Sequence, residues 1–114
     1  MNQILAQGDL LFECVDDVTP SGERILPGTD GSVTLAEGEA TGHRHAIFEK
    51  VVMFRDDGLA RDIPDGLYIG HVRVAGPTAL VQHEEHAAIP LTPGTWRVRR
   101  QRELELRDVR TVQD

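Results

Sequence analysis

The chain has 114 residues, the length of one domain, and its 19 acidic and 12 basic residues give a formal charge of −7. A surface this acidic repels nucleic acid and anionic membranes overall. The single cysteine, Cys14, excludes an internal disulfide; with no membrane-length apolar run and no basic leader in Met1–Leu11, the expectation is a cytoplasmic protein without a membrane segment.

Glycine and proline punctuate the chain, and apolar residues alternate or fall in short runs, a pattern of many short strands. Gly8 to Val15 reads as the first strand, with Leu10, Phe12 and Cys14 on one face. Residues 16–32 read as a long loop with a short strand at Arg24 to Leu26. Ser32 to Ala36 is a strand, and Gly42 to Arg55 a longer one bent near Lys50. Asp56-Asp57-Gly58 and Pro64-Asp65-Gly66 are turn signals, the first of a hairpin. Leu67 to Val74 and Thr78 to His83 are strands joined across Gly76-Pro77, and Pro93-Gly94 leads into a last strand from Thr95 to about Leu106. Arg102 to Val109 is also helix-compatible, although its alternation favours a strand, and residues 108–114 read as a frayed tail. The expected fold is all-β: a single domain over 1–114, a small barrel or jelly-roll/sandwich of roughly seven to ten short antiparallel strands.

The chemistry-bearing segment is Gly42-His43-Arg44-His45-Ala46-Ile47-Phe48-Glu49. Side chains two apart in a strand share a face, so His43, His45, Ile47 and Glu49 lie together. Two imidazoles and a carboxylate on one side suit zinc, iron, manganese or nickel. In His83-Glu84-Glu85-His86, the spacing of three brings both rings to one site only if the chain turns or bulges between them. His83 is the stronger candidate ligand and His86 the weaker, with Glu84 and Glu85 placed to orient an imidazole. His71, on the parity of Leu67 and Ile69, reads as structural.

Gly38, His43, His45 and Glu49 resemble the first metal-binding motif of the cupin superfamily, with one fewer residue between the glycine and the first histidine than is usual there. The resemblance implies a β-barrel in which His43, His45 and Glu49 hold a divalent metal together with His83 or His86. The wider pattern of GEATGHRH, HEEH and PGTWRVRRQRE is similar to small bacterial proteins of unknown activity.

From Thr95 onward, the even face carries Trp96, Val98, Leu104 and Leu106 but also Arg100 and Arg102. If the register holds, these two arginines turn toward the core, where an uncompensated charge costs several kcal/mol. Their expected partners are Glu49, Glu84, Glu85 or a small anionic ligand; a bulge between Arg99 and Arg100 would instead send them to solvent. Cys14 reads as a core residue rather than a nucleophile.

Three functions stand open. One is a metal-binding β-barrel, an enzyme on a small anionic substrate steered by Arg100 or Arg102. Another is a non-catalytic interaction or accessory module with structural histidines, forming a homodimer or engaging a bacterial protein partner. The third is a pH-responsive protein whose paired histidines repel when protonated.

Overall fold

The computed structural model describes residues 3–37 and 42–101. Among them are ten strands: β1 Ile4–Gln7, β2 Leu10–Cys14, β3 Glu23–Ile25, β4 Val33–Glu37, β5 Arg44–Ile47, β6 Val52–Arg55, β7 Tyr68–Val74, β8 Ala79–Gln82, β9 Ile89–Leu91 and β10 Gly94–Arg100. They form a six-stranded sheet in the order β1-β2-β10-β7-β6-β3 and a four-stranded sheet in the order β4-β5-β8-β9. Every strand pair is antiparallel. The fold is all-β, and among the described residues the sheets face each other as a sandwich rather than closing into a barrel.

Period-two alternation builds the core. Leu10 and Phe12 of β2, Trp96 and Val98 of β10, and Val72 of β7 are all 0% exposed and form one cluster with Ile47, Val81 and Leu91 of the opposite sheet. Each large side chain buried this way contributes about 1.5–3 kcal/mol relative to exposure. The one polar atom Trp96 carries inward is satisfied, its Nε1 donating to Thr92 O at 2.9 Å.

Several sequence expectations need correction. Gly8 does not begin a strand. It is the first of two turn residues in a β1–β2 hairpin, and its φ of +58° is the conformation that glycine adopts at this position of a tight hairpin. The stretch from Gly42 to Arg55 is not one bent strand. It divides into β5 in the smaller sheet and β6 in the larger, and the chain crosses the sandwich between them, with Val51 buried on the way. Likewise β7 and β8, joined across Gly76-Pro77, belong to different sheets.

Asp56-Asp57-Gly58 does not close a hairpin; a short 3-10 turn, Asp57–Leu59, opens a wider connection between β6 and β7. That connection folds onto the outer face of the larger sheet because it has its own small core of Ala60, Ile63 and Tyr68, with Leu67 packed against it. Arg97 clamps it down, giving Nη1 to Leu59 O at 3.1 Å and a two-pronged bond to Asp62 at 2.8 and 3.0 Å, while its Nε donates to Glu13. Burial works against the Arg97 charge, but these two carboxylates outweigh it and hold the guanidinium protonated more firmly than usual.

His71, read from the sequence as structural, lies buried in β7. It is 1% exposed, and its Nδ1 lies 2.6 Å from the Tyr68 hydroxyl. That hydroxyl also accepts from Asp56 N–H at 3.0 Å. Burial is the main cause of a lowered His71 pKa, with the Arg97 charge adding to it. The expected extension of the last strand to Leu106, the helix alternative and the frayed tail lie outside the described residues.

Candidate metal centre

Three pieces of chain meet at one end of the sandwich: the β1–β2 turn, the entry to β5, and the connection from β8 to β9. Strand register brings the second and third together. Ala46 pairs with Gln82, the last residue of β8, so His45 and His83 are the next residues along the two chains. The side chains follow: the His45 and His83 ring centroids are 4.4 Å apart, Arg44 N–H donates to Glu84 Oε1 at 2.8 Å, and His43 Nδ1 lies 3.1 Å from Glu85 Oε1.

The segment His83–His86 leaves the strand in a bend, the turn that the spacing of three required. His86 therefore comes back to the cluster, 4.7 Å from His83 and nearly parallel to His45 at 6.3 Å. Gly8 roofs the group. A Cβ on it would lie 2.9 Å from His86 Nε2 and 3.3 Å from His45 Cε1, so the turn backbone comes this close only because it has no side chain there.

His43, His83 and Glu84 offer ligand atoms that all lie within 4.8 Å of one another. The carboxylate of this group is Glu84, expected from the sequence to orient an imidazole, and not Glu49. Glu49 sits past the end of β5, where the alternation that put it on the histidine face has stopped, and its carboxylate accepts from Leu80 N–H at 3.1 Å. The Arg44 amide is the main reason the Glu84 carboxyl titrates below its ordinary range, so it is an anion at neutral pH.

His45 is 2% exposed. Burial first, then the neighbouring His83, pushes its pKa down to about 4, with the Asp9 carboxylate opposing and His86 and Arg100 adding to the fall. The ring is thus neutral at pH 7, the state that offers a lone pair.

Among the described residues Arg100 pairs with Asp9, not with Glu49, Glu84 or Glu85. Its Nη1 donates to Asp9 Oδ2 at 2.7 Å, and it is 38% exposed at the rim. The pairing of β10 with β7 slips between Val98 and Arg99 while its pairing with β2 stays in step, leaving Arg100 across from Leu10 beside the turn that carries Asp9. Arg102 and Gly38 lie outside the described residues.

Gln7, Gly8 and Asp9 all belong to the site, and none was singled out in the sequence. A Gly-Asp pair between Leu5-x-Gln7 and Leu10-x-Phe12 is a hairpin signal that would have located them. A groove lined by Arg44, Ala46, Phe48, Gln82, His83 and Glu84 opens to solvent alongside. Among the described residues no helix is long and apolar enough to cross a membrane.

The model of one family, described as a domain of unknown function (DUF8820), matches residues 6–101, a span that holds the turn, both histidine pairs and Arg100. None of the curated proteins and none of the solved structures gives a match. The chain belongs to the DUF8820 family.

Proposed function

We propose that the protein binds a divalent d-block metal ion at the end of the sandwich, through His43, His83 and Glu84, with His45 and His86 beside them. The observation that carries this reading is the convergence of three ligand atoms from two chain segments within 4.8 Å. Zinc holds nitrogen and oxygen ligands at about 2.0–2.2 Å, hence about 3.4 Å from each other, so side-chain rotations of about 1 Å would close the group on an ion. Imidazole-rich surroundings suit zinc or nickel, then iron, better than the oxygen-preferring manganese. The open groove beside His83 and Glu84 would admit a small substrate, and Arg44 is the cation that lines it, while Arg100 is bonded to Asp9 elsewhere. The free thiol of Cys14 fits a cytoplasmic setting, and the edge strands β1 and β4 would support a homodimer.

Zinc titration against a chromophoric chelator tests the reading. One equivalent should bind, and His43→Ala and His83→Ala should each weaken binding at least tenfold while the protein stays folded. No competition by the wild-type protein, or unchanged affinity in both variants, would overturn it.

A further inference from the structure

Gln7 is 3% exposed and reaches across most of the chain. Its Nε2 donates to Val81 O and to Ala87 O, both at 2.9 Å. Two carbonyl oxygens can only accept, so the amide has one orientation and both of its hydrogens are spent. Its Oε1 then faces His45 Nδ1 at 2.8 Å, and a carbonyl-type oxygen there requires Nδ1 to carry the proton. Neutral His45 is thereby fixed as the tautomer whose Nε2 is a bare lone pair.

The neighbouring rings are set differently. His43 Nδ1 faces a Glu85 carboxylate oxygen, which only accepts, so the neutral form of His43 has its hydrogen on Nδ1 and its lone pair on Nε2. His83 Nδ1 accepts from Glu85 N–H at 3.0 Å, so neutral His83 carries its hydrogen on Nε2. To coordinate through either nitrogen, His83 must give up that bond or its present tautomer. His43 and His45 need no such change.

We infer that Gln7 is a positioning residue that presents His45 Nε2 as a further ligand for the ion bound by His43, His83 and Glu84; His45 lies outside that 4.8 Å group, its ring centroid 4.4 Å from that of His83, and a shift of the ring toward the ion would bring it in. The inference rests on the proposed metal site. Metal-ligating histidines characteristically give their other N–H to an oxygen acceptor, which orients the ring and raises its basicity. Here the same amide does a second job. Its two donor bonds tie Val81 of β8 and Ala87 of the β8–β9 connection, on either side of His83, to the end of β1, so one side chain sets the tautomer of His45 and pins the segment that carries His83.

Long-range ¹H–¹⁵N NMR on uniformly labelled full-length protein reads the tautomer without metal. His45 is expected to be protonated at Nδ1 and His83 at Nε2, and zinc should move the His45 Nε2 resonance. By chelator competition, Gln7→Met should bind zinc about 10–100-fold more weakly. A His45 protonated at Nε2 in the wild-type protein overturns the inference even if Gln7→Met fails to fold. An unmoved His45 Nε2 in a protein whose zinc binding depends on His43 overturns it while leaving the metal site standing. No zinc binding by the wild-type protein overturns both.

Discussion

His45 gives the protein a pH-dependent stability whose size follows from its burial. The folded-state pKa of about 4 lies below the ordinary 6.5. A base depressed in this way is neutral in both states above pH 7, so its contribution there is complete and flat. As pH falls through 6.5 the unfolded chain takes up a proton and the folded chain does not, so stability is lost down to about pH 4 and then levels. Each pH unit inside that window removes about 1.4 kcal/mol, which makes about 2 kcal/mol between pH 7 and pH 5 and about 3 kcal/mol over the whole window. His71 is depressed too and acts with the same sign. The Asp62 and Glu84 carboxyls are held low, so their stabilising effect is present above the ordinary carboxylate range and is lost only further into acid. Urea denaturation at pH 7 and pH 5, with a chelator present to remove metal, measures the fall. His45→Gln should flatten the curve by about 2 kcal/mol relative to wild type. Equal pH dependence in the two proteins, or an NMR titration of His45 centred near 6.5, would refute the reasoning.

Tyr68→Phe removes the hydroxyl that serves both His71 Nδ1 and Asp56 N–H and should cost about 1–3 kcal/mol in urea denaturation; a change under about 0.5 kcal/mol would mean that water replaces it. Gly8→Ala puts a Cβ at a positive φ and against His86. A loss of about 1–3 kcal/mol is expected, and equal stability of Gly8→Ala and wild type would count against the turn as described. Arg97→Met should cost about 1–3 kcal/mol by leaving Glu13 and Leu59 O without their donor. Arg97→Lys should restore little, since an ammonium does not reproduce the forked contact to Asp62. Thermal denaturation of the three proteins side by side decides it, and full rescue by lysine would sink the clamp.

The β class was legible because Leu10-x-Phe12, Trp96-x-Val98 and their like keep strict period-two alternation, which only a two-faced element explains. What alternation does not carry is partnership. It put His43, His45 and Glu49 on one face, and the first two hold because they flank the start of β5, whereas Glu49 falls where the strand has ended and its parity no longer means anything. The convergence of His45 with His83 depends on β5 pairing with β8, a contact that no local pattern states. Asp9 as the partner of Arg100 was hidden for the same reason: the two are distant along the chain and adjacent only through the β2–β10 register. The 3-10 turn at Asp57–Leu59 defeated a sound local signal because Ile63 and Tyr68 hold the connection open from below.

The bonds from Gln7 to Val81 O and Ala87 O join the chain's beginning to its last third, so the ligand-bearing segments are strangers in the unfolded polymer. An ion captured here would reward only the finished assembly, and at a free concentration a hundred times its dissociation constant it would raise the unfolding free energy by about 2.7 kcal/mol. Loading would then double as a checkpoint on completed folding, and depleting the metal would lower the melting temperature without altering a single residue.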